Sequence, residues 1–112
     1  MLLAHQEYQS CCDAAALCAA ECEHCAQQCL GDIPECARLC LDCAHICWSA
    51  TVLMFRGSRF IAPVVEAYAV VCDACANECE QHQTEHCQKC AEACRRVAEE
   101  FRNICKVGAS RN

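Results

Sequence analysis

The chemistry in this chain is carried by cysteine, and by its spacing. Cys72, Cys75 and Cys79 form a C-x-x-C-x-x-x-C pattern that recurs at Cys87, Cys90 and Cys94, with a short polar link holding His82 and His86 between the copies. In the N-terminal half, Cys18, Cys22, Cys25 and Cys29 step by four, three and four, and Cys36, Cys40, Cys43 and Cys47 repeat those steps. Steps of three and four return to one face of an α-helix. Each set is therefore a thiol stripe, with neighbouring sulfurs one turn apart, about 5.4 Å along the axis. Thiolates select soft metals: Cu(I), zinc or iron–sulfur clusters.

The elements that must carry these stripes read as four helices. The first spans about 4–30, with Gly31 placed for a left-handed stop. Asp32 is expected to cap the second, with Pro34 in its first turn and Glu35 completing a capping box. That helix continues through Trp48 to about Arg56, where Arg56, Gly57, Ser58 and Arg59 break it. Pro63 sits in the first turn of the third helix, which runs through Cys79 and gives way at residues 81–83. Thr84 is the expected N-cap of the fourth, which runs to about Lys106 and stops before Gly108. Two helical hairpins with short links make an all-α protein, an antiparallel four-helix bundle, in one domain over residues 1–112. The like spacing of the two halves is a weak internal repeat.

On this reading the inward stripe of the first helix is Tyr8, Cys11, Ala15, Cys18, Cys22, Cys25 and Cys29, and that of the second is Cys36, Cys40, Cys43, Cys47, Thr51 and Met54. The third offers Ile61, Val65, Tyr68, Cys72, Cys75 and Cys79; the fourth offers Cys87, Cys90, Cys94, Ala98, Phe101 and Cys105. A bundle ordinarily fills these positions with Leu, Ile and Val. One or two buried thiols behave as small hydrophobes and need no further role. A whole seam of them is different, because so small a side chain forfeits methylenes and invites cavities. The expected core is a column of sulfur. Cys12 lies one residue off the stripe and is either a peripheral ligand or a partly exposed thiol.

Composition narrows the chemistry. The chain has 112 residues, 17 of them cysteine, with 3 Gly, 2 Pro and a net charge of −6. A disulfide scaffold is disfavoured: the cysteine count is odd, residues 1–10 carry no secretory signal, and turn residues are scarce. Thiols on one helix are also poorly aimed at each other for bonding. Free thiols or thiolate–metal bonds in a reducing cytosol fit better. The acidic balance argues against nucleic acid, and no apolar segment is expected to reach the roughly 20 residues that span a bilayer.

Zinc takes closed sets of four ligands, and iron–sulfur clusters need four converging cysteines each. A continuous ladder has more thiols than one or two such sites use. Cu(I) accepts two or three sulfurs, and one cation per thiolate neutralises charge that is prohibitive to bury. Storage of multiple Cu(I) ions is the favoured reading. An iron–sulfur or zinc protein is the alternative from another class. An enzyme is not expected, since no nucleophile–base–orienter set is apparent.

Over residues 72–94 the pattern C-x-x-C-x-x-x-C-x-x-H-x-x-x-H-C-x-x-C-x-x-x-C resembles the hairpin between helices three and four of the cytosolic four-helix-bundle copper storage proteins, the Csp family. The resemblance covers nearly the whole chain. It implies a cytoplasmic homotetramer that holds many Cu(I) ions. Carried over residue by residue, the metal ligands would be Cys11, Cys12, Cys18, Cys22, Cys25, Cys29, Cys36, Cys40, Cys43, Cys47, Cys72, Cys75, Cys79, Cys87, Cys90, Cys94 and Cys105, with His86 at the mouth. Ala98, Phe101 and the lack of cysteine before Cys72 in the third helix depart from the pattern and lower the capacity expected at that end.

The two ends should then differ. Tyr8, Met54, Phe55, Ile61, Val65, Tyr68 and Phe101 are expected to form a hydrophobic plug. At the other end Cys25, Cys29, Cys36, Cys79 and Cys87 should gather with His24, His82 and His86 as a metal entrance, while His5 and His45 read as solvated.

Overall fold

The computed structural model describes the backbone of residues 6–111 and the side chains of residues 7–106. His5, and the start of the first helix at residue 4, lie outside the described residues. A single 3-10 turn, Gln6–Tyr8, leads into α1, Gln9–Cys29; α2 is Pro34–Phe55, α3 is Ile61–Glu80 and α4 is Glu85–Arg111. α1 packs on α2 and α4, and α3 packs on the same two, so the four helices close a ring around one core.

Sulfur contacts fix the register. Along α1 and α4, Cys18 meets Cys94, Cys22 meets Cys90 and Cys25 meets Cys87. Along α2 and α3, Cys36 meets Cys79, Cys40 meets Cys75 and Cys43 meets Cys72. In both pairs one residue number rises as the other falls, which is the signature of antiparallel helices. The bundle is up-down-up-down.

Close approach depends on small residues. Beside the cysteines, Ala15, Ala19, Ala50 and Ala76 are fully buried, and with no side chain beyond Cβ they let the backbones draw together until thiols from opposing helices touch. The larger buried side chains sit towards one end: Met54, Val65, Val97 and Phe101, with Ile61. Tyr8 and Tyr68 pack half-buried against the core. Phe55 does not join it and is 38% exposed. It follows Met54 by one residue, about 100° around the helix, so the turn that buries Met54 points Phe55 outward.

Three helix ends differ from the sequence expectation. Gly31 is not left-handed, because α1 closes in αR geometry at Leu30. Asp32 N–H and Ile33 N–H both donate to the Cys29 carbonyl, at 3.2 and 2.8 Å, which satisfies that orphan acceptor without a left-handed residue. Asp32 is not the cap: Ile33 is, with no side-chain hydrogen bond, and Pro34 follows at the first helical position, where its missing N–H leaves one orphan donor fewer. Asp32 thus falls one residue too early, and Glu35 cannot complete a capping box with it. α4 does not stop before Gly108 but continues to Arg111; a helical glycine costs about 1 kcal/mol without forbidding the helix. Thr84 fits its expected place, its carbonyl accepting from Gln88 N–H at 3.1 Å.

The true left-handed stop is Gly57, at φ 64°. Its N–H donates to Met54 and that of Ser58 to Leu53, at 3.2 and 2.9 Å, a Schellman pair that ends α2. α2 also revises one composition argument. It is 22 residues long and holds an 18-residue stretch with a mean hydropathy of 1.2, enough by length and composition to cross a membrane. Much of that hydropathy is cysteine and alanine turned into the bundle.

The two glycines make a contrasting pair. Gly57→Ala should lower stability by about 1–2 kcal/mol, the cost of a side chain in the left-handed region. Gly31→Ala has open space around its new methyl and should be neutral or stabilising by up to about 1 kcal/mol, through a less flexible unfolded chain. Urea midpoints of the reduced, metal-free variants test both, and a Gly57→Ala variant as stable as wild type would contradict the helix-stop geometry.

Candidate metal centre

All seventeen cysteines are free, and every one except Cys105 is buried. Fourteen of them assemble into five groups whose sulfurs lie within 4.8 Å of one another. From the plug end upward these are Cys43, Cys47 and Cys72; then Cys18, Cys22, Cys43 and Cys94; then Cys22, Cys75, Cys90 and Cys94; then Cys25, Cys40, Cys79 and Cys90; and finally Cys25, Cys29, Cys36 and Cys87. Neighbouring groups share sulfurs: Cys43 joins the first two, Cys22 and Cys94 the next, then Cys90, then Cys25. The result is one connected column rather than five sites. On α1 it extends from Cys18 to Cys29, about 16 Å of helix.

The individual contacts are short. Cys22 and Cys90 sulfurs are 3.4 Å apart, and Cys18 stands 3.6 Å from Cys94 and 3.8 Å from Cys43. Cys43 is 3.7 Å from both Cys72 and Cys94, and Cys40 is 3.8 Å from both Cys79 and Cys90. A metal with sulfur at about 2.3 Å can bridge such pairs without backbone movement. Shared sulfurs also decide what can be held. Closed four-ligand sites compete for Cys22, Cys25, Cys90 and Cys94, whereas monovalent ions with two or three ligands can fill a column of bridging thiolates together.

At the upper end His86 closes the column. Its Nδ1 is 3.4 Å from the Cys25 sulfur, 3.5 Å from Cys87 and 4.0 Å from Cys29. His24 is exposed, with its ring edge-on to His86 at 6.4 Å between centroids. His82 turns to Glu78, whose carboxylate is 2.7 Å from its Nε2. His45 lies on an exposed position of α2.

Three cysteines of the sequence-derived set belong to none of these groups. Cys11 and Cys12 are buried near the start of α1, so Cys12 is not the partly exposed thiol that its offset allowed. One residue on from Cys11, it too belongs to the buried core of the bundle. Cys105 is half-buried and donates to the Ala62 carbonyl at 3.3 Å. Two polar residues of the mouth had gone unnoticed in the sequence, Glu78 and Gln88. The i,i+4 spacing of Glu78 and His82 was the available signal.

Burial pushes the Cys11 thiol up from the ordinary 9.0 to about 12, helped by the charge of Glu100 and by Cys12 and Cys105. Burial likewise lifts Cys29 to about 12, with Cys25 adding to it. Inside the column the thiols divide. Cys18 is drawn down to about 6 and Cys90 to about 7, each chiefly by its hydrogen bond with Cys22, while Cys22 is pushed up through its bond to Cys18. Cys22 keeps its proton between two sulfurs better able to lose theirs.

Together the fold and the site define an all-helical protein that binds soft metal through thiolates shared in its core. The copper storage protein family model matches residues 4–106, and the chain belongs to that family. It is 37% identical to the copper-free copper storage protein 3 from Bacillus subtilis, over 88% of this chain and 98% of that one, with a TM-score of 0.84. To the Cu(I)-bound copper storage protein BsCsp3 it is 35% identical, over 89% and 99%, with a TM-score of 0.85. A cytosolic copper storage protein from Streptomyces lividans, in a copper-loading structure with five coppers, is 32% identical over 88% and 91%, with a TM-score of 0.82. None of the curated proteins compared is significantly similar.

The raised thiols set a pH dependence. Folded Cys11 and Cys29 keep their protons up to about pH 12, whereas the unfolded chain loses them from 9.0 upward. Above 9.0 the folded state therefore binds more protons, and stability falls with pH. Cys18 and Cys90, already ionised in the folded chain, act the other way only until the unfolded thiols have finished titrating a little above 9.0, and add no slope beyond that. The urea midpoint of reduced, metal-free protein should start to drop near pH 9 and keep dropping towards 12; a flat profile over that window would contradict the burial of these thiols as neutral groups.

Proposed function

We propose that this chain stores Cu(I), many ions at once, on the thiolates of its core, as a single domain in a reducing cytosol. The observation that carries this reading is the sharing of sulfurs between neighbouring groups over the whole column. Fourteen cysteines form that column, and Cys11, Cys12 and Cys105 at the plug end are secondary ligands on this reading. Each Cu(I) bound with loss of a thiol proton adds one positive charge to one new thiolate, so filling leaves the interior near neutrality. Copper arrives through the His86 end, because Met54, Ile61, Val65, Val97 and Phe101 fill the other. An imidazole is an acceptable copper ligand at a mouth where sulfur must accept the ion next.

The alternative metals fit less well. Zinc in one closed group removes sulfurs from the groups on either side, and iron–sulfur clusters require inorganic sulfide in a space where opposing thiols already touch at 3.4–3.8 Å. No catalytic role is assigned. A homotetramer follows from the family resemblance, and α2 offers a surface for it: Leu41, Trp48, Val52 and Phe55 are exposed along one side of that helix. Sedimentation of copper-free protein should give a mass well above the 12.3 kDa chain; a monomer at micromolar concentration would remove the assembly from the reading.

Anaerobic titration with Cu(I) against a competing chelator tests storage directly. Wild type should bind many ions per chain. Cys43→Ser or Cys90→Ser should each remove about one or two, because neighbouring thiolates take over the lost contacts. Changes at Cys29, Cys79 or Cys87 should slow uptake more than changes at Cys105. If any one of these substitutions abolishes metal binding, the shared column is replaced by a single closed site.

A further inference from the structure

One polar pair beside the mouth plays no part in the thiol contacts. Glu78 Oε2 lies 2.7 Å from His82 Nε2, and the two side chains are only 20% and 23% exposed. A carboxylate can only accept, so His82 Nε2 carries the hydrogen and the ring's lone pair is confined to Nδ1. The backbone of the same residue is fixed at both groups: its N–H donates to the Cys79 carbonyl at 3.1 Å, and its carbonyl accepts from Gln88 Nε2 at 2.6 Å. His82 is thus clamped by α3 on one side and α4 on the other. It follows Cys79, a member of the fourth group, by three residues and precedes His86, which adjoins the fifth, by four.

We propose that Glu78 is a positioning residue for copper uptake: it holds His82 in a single tautomer and orientation, with Nδ1 free to take an incoming Cu(I) before it passes to His86 and the thiols. This rests on the storage reading above. A histidine that donates its second nitrogen to a carboxylate is oriented and made a better donor, and removal of such an outer partner typically costs about 10–100-fold in metal affinity or activity. A bare i,i+4 pair that merely stabilises the helix end has a different consequence, since its loss lowers stability by a few tenths of a kcal/mol and leaves metal transfer untouched. The Gln88 bond argues for positioning, because it holds the backbone of His82 and not only its charge.

The test uses the full chain. In copper-free protein, at a pH where imidazole is neutral, 15N spectroscopy should find His82 as the Nε2–H tautomer, and Glu78→Ala should return it to a mixture. Stopped-flow uptake of Cu(I) should slow about 10-fold in Glu78→Ala, with the number of ions finally bound unchanged. His82→Ala should slow uptake as much, and the double variant no further than His82→Ala alone, since the two residues act as one unit. Glu78→Gln, which keeps the shape but can donate as well as accept, gives an intermediate rate and serves if the alanine variant does not fold. Uptake within twofold of wild type, or additive slowing in the double variant, overturns this role alone. A wild-type chain that takes up no more than one ion overturns the storage reading and this role with it.

Discussion

Contact between buried sulfurs is the constraint on which the rest of the structure depends. A thiol is small and nearly apolar, so a column of them can serve as the inside of a bundle. The same atoms become thiolates when a soft cation arrives. What is then unaffordable is charge without a counter-ion, which is why a core built this way favours cations that match thiolates nearly one to one. Packing and cargo are two states of one set of atoms.

That arrangement shapes the helices around it. Opposing thiols meet at 3.4–3.8 Å only if the backbones come close, and the buried alanines flanking the cysteines permit it. Little remains for a conventional apolar core, so the larger side chains collect at one end, where Phe101, Met54, Val65 and Val97 pack fully buried. A surface ion network adds a second clasp between α3 and α4: Arg95 binds Asp73, Asn77 and Glu80, and Arg102 binds Asp73. Exposed pairs of this kind contribute little singly, yet they join the two helices whose link carries the mouth.

The ends of the column are chemically unlike. One is closed by carbon and aromatic rings. The other ends in imidazole and a turn clamped by hydrogen bonds, with His86 in contact with three thiols. On the proposed entry route an ion would pass inward from nitrogen to sulfur, the direction of increasing softness and, for Cu(I), of increasing affinity.

Much of this was already legible in the chain. Steps of three and four between cysteines determine that the thiols share a helix face, and Pro34, Gly57 and the polar link at residues 81–84 mark where helices change. Four stripes with two hairpins leave few arrangements other than an inward sulfur seam. The spacing could not say which sulfurs from different helices meet, because register between helices depends on how closely they pack. Only the folded chain places Cys22 against Cys90 and joins the groups through shared atoms, and only it leaves Cys11, Cys12 and Cys105 apart. Details of the helix ends were likewise beyond local pattern: Asp32 has the right chemistry for a cap, but Pro34 and the tight closure onto the Cys29 carbonyl move the cap to Ile33. Local spacing determines faces, which the sequence contains; distances across the core come from packing, which only the tertiary structure decides.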